Sequence, residues 1–241
     1  MTPRRVLVAT SNAGKLRDFV GAAEPYGITV AAIPDFSSLP PVVEDGDTFE
    51  ANARKKAEAY SLAIPGELVI ADDSGLEIDA LGGAPGVRSA RYAVDEPRGS
   101  VGSDSTARPI LEREGRGSGT GAQKSDPRAA GLNADDAANN ARVLRELAGV
   151  PSEKRTARFV CVLAAAQDGR NLQVFRGTAE GVILDSPRGY NGFGYDPLFY
   201  SPQIGRTFAE LSAIEKAQYS HRGAAFRVFL EWYAQSAKGN D

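Results

Sequence analysis

The chain has 241 residues, of which 42% are hydrophobic and 24% are charged, and its formal net charge is -3. This charge balance excludes a general electrostatic attraction to nucleic acid, and no apolar stretch is long enough to span a membrane. The length is sufficient for a full hydrophobic core in one domain or in two lobes. The single cysteine excludes an intrachain disulfide, and the N-terminus leads into a predicted strand rather than a signal peptide, so we expect a cytoplasmic protein.

The first predicted elements are a strand at residues 5–9 and a helix at residues 16–23, where apolar residues recur at helical spacing. The turn between them consists of Thr10, Ser11, Asn12, Ala13, Gly14 and Lys15. Backbone N–H groups at a helix N-terminus, the helix dipole and the lysine charge would together favour an anion. The turn is not a Walker A loop, because the first glycine is missing and a leucine follows the lysine. Capping of the helix by Ser11 or Asn12 is an equally good interpretation.

A second helix is predicted from Asp47, because Glu50 three residues later completes a capping box. Asn52 and Lys56 fall on the apolar stripe of this helix, together with Phe49, Ala53, Ala57 and Tyr60. A buried lysine is costly unless it meets a carboxylate or a phosphate, although Lys56 could also lie at the edge of the stripe and reach water. Glu44 precedes the helix and is either a metal ligand or an ordinary loop acid.

Residues 68–75 are the central stretch of the chain, because four apolar residues are followed there by Asp72 and Asp73. We expect a buried strand that leads to these two acids, and the alternating pattern of residues 76–81 after them could continue as strand. Adjacent side chains of a strand point to opposite faces, so the two acids cannot both face solvent in the ordinary way. A cation such as Mg²⁺ or a lysine would relieve the repulsion between two carboxylates this close. Taken alone, however, the Asp-Ser-Gly sequence is more typical of a turn.

The second half of the chain has a different pattern. Residues 96–132 are rich in Gly, Ser and Arg and contain no aromatic residue, which predicts a mobile surface insertion. A helix beginning at Asp135 and strands at residues 157–166, 172–175 and 178–184 are expected to follow. Strands are therefore consecutive here, whereas strand and helix alternate in the first third. This order predicts an α/β fold with a mixed β-sheet in two lobes and a cleft between them.

Two further stretches could carry a binding site. Residues 189–197 contain three glycines, three aromatic residues and an acid, which suits either close approach of a ligand to the backbone or a structural loop. Lys216, His221 and Arg222 place three hydrogen-bond donors in one short segment, although a lone histidine is more often structural. An amphipathic helix ending near Tyr233 is predicted to close the chain.

Together these stretches resemble the Ham1/inosine triphosphatase family, whose members are pyrophosphatases of deaminated purine nucleoside triphosphates. The matching pieces, in the order of the family, are residues 10–15, 48–53, 71–76, 82–86, 192–197 and 220–223. Any one of them is a weak signal, but six in order over most of the chain are highly specific. The resemblance implies a single Ham1-like domain over residues 1–241, with residues 96–132 as an insertion that the family usually lacks. It also implies the family fold, an elongated mixed β-sheet with flanking helices in two lobes and a central cleft, and a homodimer.

The resemblance also implies a role for particular residues. Asp73 would be the general base and a Mg²⁺ ligand, with Asp72 and Glu44 as neighbouring acids, and Ser74 and Lys56 would contact phosphate. The turn formed by Thr10, Ser11, Asn12, Ala13, Gly14 and Lys15 would bind the triphosphate. The nucleoside would be bound by Phe193, Gly194, Tyr195, Asp196, Lys216, His221 and Arg222.

The implied reaction is hydrolysis of ITP, dITP or XTP to the nucleoside monophosphate and pyrophosphate. A 6-keto group accepts hydrogen bonds, whereas the 6-amino group of adenine would meet the donors of Arg222, and each unpaired buried polar group costs about 1–3 kcal/mol. Two alternatives remain open: a Maf-type pyrophosphatase that acts on other nucleotides, and a nucleotide sensor without catalytic activity. The substrate is the expected partner besides a second copy of the chain, with no nucleic acid and no membrane.

Overall fold

The computed structural model of the chain describes residues 5–23, 26–95 and 135–236. One seven-stranded β-sheet with the strand order β2-β1-β3-β4-β5-β6-β7 forms its centre. The strands are β1 (Arg5–Val8), β2 (Thr29–Ala32), β3 (Val69–Ile78), β4 (Thr156–Gln167), β5 (Arg170–Ile183), β6 (Phe199–Ser201) and β7 (Arg206–Thr207). The α-helices are α1 (Ala13–Ala23), α2 (Phe49–Ala63), α3 (Asp136–Glu146), α4 (Ala213–Tyr219) and α5 (His221–Ser236). The insertion predicted at residues 96–132 lies outside the described residues.

The sheet is mixed, as the order of elements in the sequence predicts. Strands β2, β1 and β3 pair in parallel, and α1 and α2 provide the crossovers that parallel strands require. From β3 onward every pairing is antiparallel, and β4 and β5 form a long hairpin. The predicted α/β architecture of a mixed sheet with flanking helices is therefore confirmed.

The central strand β3 extends beyond the apolar stretch at residues 68–71. It does not end at Asp72 and Asp73 but continues to Ile78, as the alternating pattern of residues 76–81 allows, and all ten of its residues pair with β4. The two acids therefore lie in the middle of the sheet, opposite Leu163 and Val162. Buried carboxylates are accommodated in a central strand only where partners compensate their charge, and such partners are present here.

Strand β5 is also longer than expected, because residues 172–175 and 178–184 belong to one strand, Arg170–Ile183. The two residues between the predicted strands, 176 and 177, continue the strand. A Cβ atom at Gly177 would collide with the backbone of α5 at His221 and Ala225. The glycine therefore allows α5 to pack directly on the sheet, which places the beginning of α5 next to β3 and β4.

Helix α2 carries two buried polar residues on its apolar stripe, as predicted. Asn52 and Lys56 are 1% and 9% exposed, and the four apolar residues of the stripe, Phe49, Ala53, Ala57 and Tyr60, are buried with them. The predicted cap is wrong by one residue, since the Thr48 hydroxyl, rather than the Asp47 carboxylate, accepts the N–H of Ala51. A threonine with an extended backbone satisfies the first turn equally well.

Helices cover both faces of the sheet and divide the core. Helices α1 and α5 pack on one face around Phe19, Ile70 and Phe229, and α2 packs on the other face around Val69 and Ala71. A third cluster at the β4–β6 end of the sheet contains Phe159, Tyr195 and Phe208, among others. No helix of the described ranges is both long and apolar enough to cross a bilayer.

Candidate active site

The two adjacent acids of β3 point to opposite faces of the sheet and have different partners. On the face covered by α1 and α5, the Asp72 carboxylate lies 3.0 Å from the Lys15 Nζ atom and accepts the Ser74 hydroxyl at 3.1 Å. On the face covered by α2, the Asp73 carboxylate accepts the Asn52 side-chain amide at 3.0 Å and lies 3.8 Å from the Lys56 Nζ atom. Both acids are buried, with exposed fractions of 2% and 7%.

Glu44 joins the α2 side of this cluster. Its carboxylate accepts a hydrogen bond from the Lys56 Nζ atom at 2.8 Å, so one lysine links Glu44 and Asp73. The loop that carries Glu44 is held by Arg91, whose guanidinium contacts the Glu44 carbonyl oxygen at 3.5 Å. The predicted proximity of Glu44, Lys56 and Asp73 is present in the structure.

The surroundings shift the pKa values of the two β3 acids in opposite directions. Burial raises the pKa of Asp73 to about 6, the negative charge of Glu44 adds to the rise, and the charge of Lys56 only partly opposes it. Burial also acts on Asp72, but the charges of Lys15 and Arg222 outweigh it and hold the pKa of Asp72 well below its ordinary value. Asp73 is therefore the acid that can take up a proton near neutral pH, while Asp72 stays ionised.

The turn between β1 and α1 is closed by its own side chains. The Asn12 side-chain oxygen accepts the N–H groups of Gly14 and Lys15, and the Thr10 hydroxyl accepts the N–H of Asn12. The capping interpretation of this turn therefore describes the structure, with Asn12 rather than Ser11 as the capping residue. Binding of phosphate by this turn stays a prediction, and Lys15 is the charged group that it brings to the β3 acids.

The aromatic loop at residues 189–197 lies against the same turn. The Phe193 ring would be 3.0 Å from a Cβ atom at Gly14, and the Lys216 Nζ atom is 4.6 Å from the centre of the ring. Lys216 also forms a buried ion pair with Asp196 at 2.5 Å, and the Asp196 carboxylate accepts the N–H of Phe193. The structure thus brings together residues 10–15 and the two C-terminal stretches, which are far apart in the sequence.

Tyr195 differs from its neighbours in this loop. Its side chain is 4% exposed, packs in the third core cluster and donates to the carbonyl oxygen of Ser89. This environment is that of a structural aromatic residue. A contact of Tyr195 with the nucleoside stays a prediction from the family resemblance.

His221 and Arg222 begin α5 and are both buried. The His221 ring stacks on Phe159 with 4.7 Å between the ring centres, and burial together with the charge of Arg222 lowers its pKa well below the ordinary value. His221 is therefore neutral at pH 7, and its Nδ1 atom has no hydrogen-bond partner among the described residues. A neutral imidazole donates one hydrogen bond through one ring nitrogen and accepts one through the other.

Arg222 is a junction between elements. Its terminal nitrogens donate to the Asp18 carboxylate of α1 and to the Ser74 hydroxyl of β3, each at 3.0 Å, and its Nε atom lies 3.5 Å from Asp72. The resemblance implies a further contact of Arg222, with a 6-keto group of the base. That contact stays a prediction.

The chemistry of the donor set fits a hard cation on the α2 side of β3. Glu44 and Asp73 supply carboxylate oxygens, and a cation between them would relieve the repulsion by which Glu44 adds to the pKa of Asp73, which burial already raises. Asp72 is engaged on the opposite face. Within residues 5–23, 26–95 and 135–236, no three His, Cys, Asp or Glu side chains converge closely enough to hold a metal ion.

Sequence reasoning missed three residues that complete this region. Asp18 binds Arg222, and Asp136 and Asn140 of α3 bind the backbone of Gly194. Asp136 and Asn140 are four residues apart at the beginning of a predicted helix, which places them on one helix face. The sequence does not predict their contact with Gly194, because 54 and 58 positions separate the bonded residues.

A cavity of about 910 Å³ lies on the α2 face, next to the beginning of α2 and the turn at residues 83–88. Glu77, Arg88 and Arg176 are among the residues that line it. None of the predicted site residues does. This cavity is therefore a feature separate from the charged cluster around Asp73.

Comparisons with known proteins show which family this chain resembles. The model of the Ham1 family matches residues 6–113 and 126–232, and the unmatched residues 114–125 fall inside the stretch predicted as an insertion. A dITP/XTP pyrophosphatase of Geobacillus kaustophilus is 42% identical over 98% of this chain and 97% of its own length. A dITP/XTP pyrophosphatase of Shouchella clausii is 44% identical over 94% of each chain.

Solved structures show the same likeness. The Ham1 protein of Staphylococcus aureus superposes with a TM-score of 0.69 at 35% identity, covering 97% of this chain and 100% of that one. A HAM1 protein of Coxiella burnetii gives a TM-score of 0.70 at 33% identity, covering 96% and 99%. From the family model and the full-length relatives, the chain belongs to the Ham1 family.

Proposed function

We propose that this protein hydrolyses deaminated purine nucleoside triphosphates, namely ITP, dITP and XTP, to the nucleoside monophosphate and pyrophosphate. The observation that carries the proposal is the environment of Asp73, a buried carboxylate whose pKa of about 6 suits a general base, linked through Lys56 to Glu44. The names of the full-length relatives support the same activity.

In this proposal Asp73 accepts a proton from a water molecule. The water oxygen forms a bond to the α-phosphorus, and the bond from this phosphorus to the bridging oxygen breaks, which releases pyrophosphate. Lys15 and Lys56 lie at the two faces of β3 and oppose the charge of the triphosphate. Asn52 donates to Asp73 and orients its carboxylate.

Mg²⁺ would be held by Glu44 and Asp73 and would neutralise phosphate charge. Asp72, the third acid that the resemblance implies as a ligand, lies on the other face of β3 and is paired there with Lys15. The nucleoside would lie against Phe193, near Asp196, Lys216 and the neutral His221. We further propose a homodimer that acts in the cytoplasm. Light scattering of the purified protein tests the dimer, and a monomer at working concentrations would contradict it.

Pyrophosphate release from ITP, dITP, XTP, ATP and GTP, with and without Mg²⁺, tests the proposal. We expect release from the first three nucleotides, little release from ATP, dependence on the metal, and loss of activity in Asp73→Asn. Asp79→Asn is the matched control, because Asp79 is an exposed acid at the far end of β3 whose partners are Thr156 and Arg158.

Three other outcomes would contradict the proposal. Preferred hydrolysis of nucleotides other than these purines would favour the Maf-type alternative. Tight binding of ITP without release of pyrophosphate would favour a sensor. Equal activity of wild type and Asp73→Asn would remove Asp73 from the role of the base.

A further inference from the structure

Helix α3 binds both polar groups of the Gly194 backbone. The Gly194 N–H donates to the Asp136 carboxylate at 2.7 Å, and the Gly194 carbonyl oxygen accepts the Asn140 side-chain amide at 2.9 Å. Asp136 and Asn140 are one helical turn apart, so a single face of α3 makes both bonds. We call this pair of bonds the Gly194 clamp.

The clamp acts at the residue next to Phe193. The ring of Phe193 lies beneath Lys216 and abuts the turn at Gly14, and its own N–H is bound by Asp196. The peptide group before the ring is therefore bound by Asp196, which Lys216 holds, and the one after it is bound by α3. Without the clamp, Asp196 and the buried Tyr195 would still hold the loop on either side, but the backbone at Gly194 itself would lose both of its bonds, and ordering it on binding would cost conformational entropy.

The stability of α3 does not depend on the clamp. The N-cap of the helix is Asp135, whose carboxylate accepts the N–H of Ala137. The packing of α3 comes from its other face, where Asn139 and Val143 are buried, with the Asn139 side chain bound to the backbone of residues 90 and 93. Asp136 is exposed apart from its bond to Gly194.

We propose that Asp136 and Asn140 are positioning residues for nucleobase recognition, because they hold Gly194 and thereby fix the ring of Phe193 against which the base stacks. This inference rests on the proposed function, in which Phe193 receives the nucleoside. According to this inference, the affinity for the base depends on α3. The affinity for the phosphates and the rate of the chemical step depend instead on β3, α1 and α2.

The test compares nucleotide and inorganic ligands in four variants. Asp136→Ala and Asn140→Ala each remove one bond of the clamp, Asp136→Asn keeps an oxygen that can accept the Gly194 N–H, and Asp135→Ala removes the helix cap without touching the loop. The measurements are KM and kcat for ITP and the inhibition constant of inorganic tripolyphosphate, which has no base. Calorimetric affinities for both ligands, measured without Mg²⁺ so that ITP is not hydrolysed, repeat the comparison without turnover.

We expect each alanine variant of the clamp to raise KM and the calorimetric Kd for ITP about 3- to 10-fold, the effect of one lost hydrogen bond. The values for tripolyphosphate and kcat should stay at the wild-type level. Asp136→Asn should restore the wild-type KM, and Asp135→Ala should leave KM unchanged although it lowers the melting temperature.

Several results would overturn the inference. An equal rise for ITP and tripolyphosphate would indicate general damage to the site, and an equal rise in Asp135→Ala would indicate an effect of helix stability. Unchanged ITP affinity in both alanine variants would show that the clamp does not act on the base. If the wild type binds ITP without hydrolysing it, the proposed activity is wrong, but the calorimetric affinities of the variants still test the role of the clamp. If the wild type does not bind ITP, both the proposed activity and the inference are wrong.

Discussion

Asp73 shows at the scale of one residue how function and stability oppose each other. Its pKa is raised from 3.8 to about 6, chiefly by burial, so the folded protein favours the protonated carboxyl. The stabilising contribution of this group is fully present below about pH 4 and is lost as the pH rises through about 6. Near neutral pH the ionised carboxylate therefore destabilises the fold, while it is the form that a general base requires.

Replacing Asp73 by asparagine should accordingly separate the two properties. Turnover of ITP should fall by about 10²–10⁴-fold, the usual contribution of a general base. The free energy of unfolding of the metal-free protein at pH 8 should rise, by up to about 3 kcal/mol, since the ionised buried group is gone. Denaturant unfolding at pH 8 and pH 4 measures this, and the gain should shrink at the lower pH.

Asp79→Asn serves as the control, because Asp79 is bound to Thr156 and Arg158 at the surface and its pKa is lowered rather than raised. A loss of stability in Asp73→Asn at pH 8 would contradict the argument. It would mean that Lys56 and Asn52 compensate the buried charge fully.

The titration of Asp73 can also be observed directly. In the metal-free protein the carboxyl carbon of Asp73 should titrate with an apparent pKa of about 6 in an NMR experiment. Asn52→Ala should move this value upward, since the Asn52 amide donates to the ionised carboxylate and lowers its pKa. A downward shift in that variant would show that the amide does not stabilise the charge.

At the scale of elements, a glycine with a crowded environment positions part of the candidate site, and a second glycine in open space provides the comparison. Gly177 lies in β5 where the backbone of α5 approaches, whereas Gly21 lies in α1 with nothing within 4 Å of a Cβ atom. The close approach at Gly177 places the first residues of α5, His221 and Arg222, against the central strands. The position of two candidate site residues therefore depends on a missing side chain in another element.

Alanine at these two positions should have effects of opposite sign. Gly177→Ala should lower the free energy of unfolding by about 1–3 kcal/mol, because a methyl group must displace helix backbone. Gly21→Ala should raise it by about 0.5–1 kcal/mol, because alanine is the better helix former and the space is open. Chemical denaturation of both variants checks this, and a neutral Gly177→Ala would show that α5 is free to shift.

At the scale of the whole molecule, Arg222 joins three elements from distant parts of the chain. Its guanidinium connects α5 with Asp18 of α1 and with Asp72 and Ser74 of β3, and it is 2% exposed. Removal of the arginine would leave two carboxylates without this partner in the interior. An effect of Arg222 variants on substrate preference therefore has to be distinguished from an effect on the fold.

We expect Arg222→Met to lower the free energy of unfolding by about 3–5 kcal/mol, the usual result of breaking a buried ion pair on one side. Arg206→Met is the matched control, because the Arg206–Glu215 pair is exposed and should contribute little. Similar stabilities of the two variants would mean that the buried network relaxes around its lost charge.

The errors in the sequence prediction share one cause. In the sequence the apolar stretch stops at Asp72, the following Asp-Ser-Gly is typical of a turn, and residues 172–175 and 178–184 are separate candidate strands, because each stretch is interpreted locally. In the structure Asp73 is balanced by Asn52 and Lys56, and Gly177 accommodates α5, so both strands continue. A local signal of this kind is overridden when a partner from elsewhere in the chain removes its cost.

The sequence alone determined the fold class, the burial of two polar residues of α2 and the family. The alternation of apolar stretches predicted a mixed α/β sheet, the stripe of α2 predicted the burial of Asn52 and Lys56, and six short motifs in order predicted the family. These features depend on periodicity and on residue order, which a linear pattern contains.

Only the tertiary structure decided which face of β3 each acid serves, how Arg222 is held, and that α3 binds the loop of Phe193. These contacts join residues that are 21 to 204 positions apart, so their energies depend on burial and on the partner's charge rather than on the local sequence. The pKa of a carboxylate is set by what surrounds it in space, and a sequence names the acid without naming its neighbours.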